Sequence, residues 1–193
     1  MKRTILLATL VAFGLAATAQ AWVIDPAHTK IRFTAKYLVI SDVEGQFNKF
    51  DGTFSSSKDD WSDLKAEVTV DVNSINTGVD KRDGHLKSDD FFNAEKYPTI
   101  TFKSTQLKKI SDKKFVIVGD LTIRDVTKRV EFPLVHGGTV TDGYGNVKAG
   151  FKATGTIDRQ EYGLKYRNSA KTGEAVVSDD IEFMVDAVLI KKS

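Results

Sequence analysis

The chain contains no cysteine, which removes disulfide frameworks, thiolate chemistry and Cys-ligated zinc together. Its three histidines, His28, His85 and His136, form no His-x-x-x-His or His-Glu-x-x-His pair. Asp71-Val72-Asn73-Ser74-Ile75 breaks the calcium-loop pattern at Ile75 and lacks its glycine. The stretch Gly52-Thr53-Phe54-Ser55-Ser56-Ser57 lacks the lysine and second glycine of a phosphate loop. The sequence thus assigns no catalytic residue, no metal site and no cofactor.

Long apolar runs are also scarce. The longest, Ile5 to Ala17, follows Lys2 and Arg3 and precedes Ala19-Gln20-Ala21, whose outer positions carry the small residues that a signal peptidase reads. Residues 1–21 read as an export signal, with Trp22 the mature N-terminus. That run falls short of the roughly 20 residues a membrane-crossing helix needs. No other stretch approaches that length, so no integral membrane segment is expected in the mature chain. Removing Lys2 and Arg3 from the 28 basic residues leaves as many bases as the 26 acids. A neutral chain of interspersed signs has no basic stripe for phosphates, which argues against nucleic acid as a partner. Residues 22–193 are long enough to bury a core without disulfides and read as one domain.

What the sequence has instead is period-two alternation. Ile31, Phe33, Ala35 and Tyr37 share one face of a strand, with Lys30, Arg32, Thr34 and Lys36 on the other. The pattern returns in Leu64 to Val72, Val130 to Leu134, Ala149 to Ile157 and Ile181 to Leu189. It is weaker in Val43 to Phe54, Ile100 to Leu107 and Phe115 to Ile123. Short links at Ser111 to Lys114, Arg124 to Thr127 and Gly137 through Asn146 imply antiparallel hairpins. About eight strands of this kind close into a barrel or stack as a sandwich.

Residues 76–93 lose the alternation. Asn76 or Thr77 offers a helix cap, and one or two short helices are expected, placed as a lid over one end of a barrel. Asp83, His85 and Ser88 invite an acyl-transfer reading, but Ser88 sits in no nucleophile elbow and triads draw on residues distant in sequence. Polar contacts that fix the lid are the better account of Arg82 and Asp83.

The aromatic inventory is the remaining signal. Phe33, Phe102, Phe132, Phe151 and Phe183 fall at alternation positions that face one interior. A barrel of this size is either packed or left open for one apolar ligand. Ala35, Ala149, Ala153, Gly155 and Ala187 at inward positions favour unfilled volume.

Three segments resemble the YceI family: Phe50-Asp51-Gly52-Thr53-Phe54; the block from Arg82-Asp83-Gly84-His85-Leu86-Lys87-Ser88 through Asp89-Asp90-Phe91-Phe92-Asn93 to Lys96-Tyr97-Pro98; and Gly119-Asp120-Leu121-Thr122-Ile123 with Val126-Thr127-Lys128. The central block is the specific one. The resemblance implies an all-β, extended antiparallel lipocalin-like barrel. It also implies a periplasmic, exported, non-enzymatic carrier or reservoir, stress-related in some roles, for a long-chain isoprenoid or fatty-acid-like lipid. Candidate ligand contacts are then Phe33, Tyr37, Phe91, Phe92, Phe102, Phe132, Phe151 and Phe183, with Arg82 and His85 placed either on a polar headgroup or on the barrel rim. Where family members commonly read Gly-Val-Thr-Lys-Pro, this chain reads Asp125-Val126-Thr127-Lys128-Arg129, and Asn168 to Glu174 falls in a variable loop. An enzyme using His85 and Asp83 on a lipid or small metabolite, a filled barrel that binds a partner, and a homodimer stay open at this stage.

Overall fold

The computed structural model describes residues 19–173 and 175–192. Its strands are β1 (Gln20–Ile24), β2 (Lys30–Tyr37), β3 (Ser41–Phe47), β4 (Phe50–Ser56), β5 (Lys65–Asp71) and β6 (Ile75–Asn76). After helix α1 (Asp80–Lys87) come β7 (Thr99–Lys109), β8 (Lys114–Ile123), β9 (Val126–Thr141), β10 (Val147–Asp158) and β11 (Val177–Lys191). Two 3₁₀ turns occupy Val72–Ser74 and Arg159–Tyr162.

Eight of the strands close a ring in the order β1-β4-β5-β7-β8-β9-β10-β11, sealed by β1 pairing with both β4 and β11. The pairings are antiparallel throughout, with Trp22 opposite Phe54 on one side and Lys191 on the other. A closed ring leaves these strands no exposed edge. The long β11 also carries β2, Phe183 opposite Phe33, and β3 and β6 follow from β2. β1 and β2 therefore share one seam along β11. They part at Asp25, whose carboxylate accepts from His28 Nδ1 at 2.8 Å and Lys148 Nζ at 3.0 Å. Burial alone would raise the Asp25 pKa, but those two donors outweigh it and hold the carboxyl below its ordinary value.

Alternation located every strand but β1 and β6, and turn chemistry fixed most of their ends. Asn48-Lys49 divides Val43 to Phe54 into β3 and β4. Gly137-Gly138 is not a turn: it is a bulge inside β9, where pairing slips between Gly150 opposite Gly138 and Phe151 opposite His136. Gly138 takes φ +137, open to glycine, so the strand bends and continues. The actual turn is Asp142–Asn146, where the Asp142 carboxylate accepts from the backbone N–H of Tyr144 and Asn146.

The expected helix is α1, but neither Asn76 nor Thr77 caps it. Val79 is the N-cap residue and gives no side-chain bond. Capping runs backwards, with Asp83 Oδ1 accepting from the Thr77 N–H at 2.9 Å and its hydroxyl at 2.6 Å. The expected export signal lies outside the described residues through residue 18. Its last two residues, Gln20 and Ala21, open β1 opposite Ser56 and Ser55.

Candidate functional site

The inward faces of the strands enclose an apolar cavity of about 280 Å³. Its walls include Ile31, Phe33 and Ala35 of β2, Val68 and Val70 of β5, Phe132 of β9, Ala153 of β10 and Phe183, Val185 and Ala187 of β11. Among the lining residues only Thr29, Arg32 and Arg159 bring polar groups.

Several rings lie flat over glycines of neighbouring strands. A Cβ at Gly45 would meet the Phe33 ring at 2.2 Å, one at Gly119 the Phe102 ring at 2.5 Å, and one at Gly155 the Phe132 ring at 2.5 Å. Gly155 was expected to leave space free. Instead Phe132 and Phe183 fill it, packed edge to face with centroids 4.6 Å apart. Glycine here lets a large ring lie against the sheet, and the void is what the rings leave between them.

The two ends of the barrel are closed by different means. At one end Trp61, in the loop between β4 and β5, plugs the opening at 4% exposure. Its ring centroid lies 4.8 Å from that of Trp22, 5.0 Å from Phe151 and 5.6 Å from His136. Trp61 adopts φ +61, a left-handed conformation costly for a bulky residue, so the packing of its ring sustains the backbone. Asp63 fixes the same loop by accepting from Ser56 and Ser57; burial pushes its pKa up, yet these bonds bring it down to about 2. Burial likewise holds His136 below the usual imidazole range.

At the other end the segment from α1 to Pro98 covers the cavity. Leu86, Phe91 and Phe92 reach its lining, while no residue of α1 is fully buried. Polar latches hold this cover. Arg124, in the β8–β9 turn, donates to the carbonyls of Asp89, Phe91 and Gly163 and pairs with the Asp89 carboxylate at 3.1 Å. The neighbouring Asp125 accepts from the Tyr97 hydroxyl at 3.0 Å. Arg159 is buried beneath, donating to the carbonyls of Leu164, Tyr166 and Ser178 and to the Asp179 carboxylate at 2.7 Å. Its guanidinium also lies 6.0 Å from the Phe91 ring centroid. Burial lowers its pKa, opposed by the charge of Asp179.

Seven of the ten predicted contacts line the cavity: Phe33, Phe91, Phe92, Phe102, Phe132, Phe151 and Phe183. Three do not. Tyr37 sits at the last position of β2, beyond the enclosed part of the barrel, and is 43% exposed. Arg82 turns back to Thr77, donating to its hydroxyl at 2.7 Å and its carbonyl. The His85 ring bonds Asp90 at 2.8 Å and packs against Phe91 and Tyr166 on the outer side of the cover. Asp83, His85 and Ser88 form no triad either, since Asp83 serves Thr77 and Ser88 Oγ donates to the His85 carbonyl.

Trp61, Arg124 and Arg159 were missed. Arg124 and Arg159 stand at the first positions after inward strands end, at Ile123 and Ile157-Asp158. Their place directly after inward strands was the available signal; their partners were not legible. Trp61 breaks no pattern, because its loop has none.

A closed eight-stranded antiparallel barrel with an apolar, ring-lined interior defines the class. Residues 22–189 match the YceI-like domain, and the chain belongs to that family. UPF0312 proteins of Staphylococcus aureus are 37% identical over 164 residues, covering 84% of this chain and 93% of theirs. The crystal structure of a Campylobacter jejuni YCEI protein is 30% identical with a TM-score of 0.71 and full coverage of both chains. Two more distant structures share the fold. BcnA of Burkholderia cenocepacia has 22% identity, TM-score 0.74 and coverage of 86% and 98%. A polyisoprenoid binding domain from Saccharophagus degradans has 16% identity, TM-score 0.67 and coverage of 90% and 99%.

Proposed function

We propose that this protein is an exported, non-enzymatic carrier or reservoir that holds a long-chain lipid, of isoprenoid or fatty-acid-like type, inside its barrel. The cavity of about 280 Å³, with its near-total absence of polar lining, carries the proposal. Each buried CH₂ contributes roughly 0.8 kcal/mol, so a chain of many carbons binds without a charge clamp, after the costs of association. Arg159, the most buried charge in the wall, spends its donors on protein carbonyls and Asp179, and leaves the lipid chain an apolar path. The polyisoprenoid binding described for the Saccharophagus degradans domain supports the isoprenoid class through a shared fold. Lys2-Arg3, the apolar run behind them and Ala19-Gln20-Ala21 support export to the periplasm. With cleavage after Ala21, Trp22, Val23 and Ile24 keep their pairing with β11.

The test is native mass spectrometry of protein exported in a bacterial host, with identification of whatever denaturation releases. A stoichiometric prenyl or long-chain lipid is expected. A lipid-free mass that stays unshifted when prenyl lipids are supplied would point to a filled barrel.

A further inference from the structure

The turn between β2 and β3 places two apolar residues where the backbone resists them. Leu38 has φ +51 and Val39 φ +65, the second β-branched. Two consecutive left-handed residues suit Asn-Gly, and a β-branched side chain is least tolerated there. Ile40 closes the turn, its N–H donating to the Tyr37 carbonyl at 3.1 Å. Leu38 is half-buried, but among the described residues little covers the other two, Val39 being 71% and Ile40 82% exposed. Tyr37, 43% exposed, stands at the base of the same prong.

The prong lies at the covered end of the barrel, opposite the Trp61 plug. Tyr37 faces Val177 at the start of β11, and the Leu38 N–H donates to the Val176 carbonyl at 3.1 Å. Val176 in turn donates to the Asn168 carbonyl, so residues 165–173 of the preceding loop run beside the prong. That loop carries Lys165, Arg167 and Lys171 against Glu174. The three cationic residues are exposed. Nearby Asp42 is engaged by Lys36 at 2.6 Å, and Asp179 is shared by Arg159 and Arg167. Glu44 and Glu182 flank Thr34 further down the strands, where Glu182 acts on Lys36, so the cations beside the tip itself are those of this loop. A strained apolar tip, an aromatic residue at its base and cations beside it match the depth profile of an anionic bilayer: acyl boundary, headgroup level and charged surface.

We infer that the β2–β3 turn, with Tyr37, Val39 and Ile40, is a docking prong for an anionic lipid surface, oriented by Lys165, Arg167 and Lys171. It presents the covered end of the cavity to the bilayer. The docking stands apart from the carrier reading, which supplies its purpose but none of its contacts.

The test is flotation of the lipid-stripped mature protein with vesicles of phosphatidylethanolamine and phosphatidylglycerol, against vesicles of phosphatidylcholine alone. Binding is expected to the anionic vesicles, weakening with salt. Replacing Lys165, Arg167 and Lys171 with Gln should weaken it by about fivefold per charge. Leu38→Asn with Val39→Gly supplies the residues that the turn geometry prefers, so this variant should melt no lower than the parent while losing vesicle binding. Ile110→Ser and Tyr144→Ser, at exposed apolar residues of the plugged end, should leave it unchanged. The inference is overturned by a parent that floats with neither vesicle, or by an Asn-Gly variant that binds as the parent does. Self-association that the Asn-Gly variant abolishes, without vesicle binding, would also overturn it and assign the prong to a second copy. Because the protein is stripped beforehand, flotation succeeds or fails whether or not the cavity is later found to carry lipid.

Discussion

The plugged end and the covered end of this barrel are shut by opposite physics. At the plug, apolar rings from separate parts of the chain meet: Trp22 of β1, Trp61 of the β4–β5 loop and Phe151 of β10, with the His136 ring stacked on Phe151. Removing any one exposes its partners, so opening costs the burial of the whole group. At the cover, Leu86, Phe91 and Phe92 rest on the cavity, but Arg124 and Asp125 secure the segment through individual polar bonds. Such bonds to charged groups exchange for water one at a time, at about 1.5–3 kcal/mol each. A barrel built this way opens at its cover first, and on the proposed function that is the route for the lipid.

The largest effect that separates the ends is expected from Trp61→Ala, which should cost about 3–5 kcal/mol as core truncation does, read by chemical denaturation. Equal stability of parent and variant would mean the plug closes nothing. Next, Gly45→Ala forces a Cβ into the Phe33 ring and should cost about 1–3 kcal/mol by overpacking, together with a loss of cavity ligand that denaturation alone would not show. Arg124→Ala should cost about 1–3 kcal/mol by orphaning the carbonyls of Phe91 and Gly163. Its distinctive signature is faster exchange of bound lipid and faster amide exchange in residues 80–98, with the plug unchanged. If exchange accelerates at the plug as well, the two ends are one cooperative unit and the comparison fails.

A smaller effect concerns acid. Asp63 and His136 both belong to the plug, and both have pKa values below their ordinary ones. A depressed value means the group stabilises the fold above its unfolded pKa and loses that contribution as pH falls through the folded one. For His136 the loss begins near its unfolded value of about 6.5. For Asp63 it begins near an unfolded value of about 3.9 and runs down to about 2. Both tryptophans of the chain, Trp22 and Trp61, sit in the plug, so intrinsic fluorescence reports this end directly. The emission of Asp63→Asn should differ from that of the parent near neutral pH and converge with it in strong acid; a constant difference would remove Asp63 from the account.

The contrast also explains what the sequence made legible. Wall residues such as Phe33, Phe132 and Phe183 obey a period of two, because each is set by its own strand; they gave an all-β barrel or sandwich, and the family resemblance named the barrel. The ends are built by residues that answer to distant partners. Arg159 gathers Tyr166 and Asp179 across a loop, Arg124 reaches Asp89 and Gly163, and Trp61 rests on residues far along the chain. Local pattern carries no trace of such contacts. Arg82 and His85 misled for the converse reason, since their partners Thr77 and Asp90 are sequence neighbours. A cluster of chemistry-bearing residues there is satisfied within its own segment. The aromatic rings over Gly45, Gly119 and Gly155 lie between these cases: alternation named the rings, but only cross-strand register shows that the glycines beneath them are already covered.

On the proposed function a long lipid lies inside the barrel, between the plug and the cover. The decisive measurement is a crystal structure of the protein loaded with a long-chain lipid brominated at its tail. Anomalous signal is expected within the walls formed by Phe33, Phe132 and Phe183, with the chain running from the covered end towards Trp61. Bromine found only on the outer surface, with the interior of the loaded protein unchanged, would contradict it.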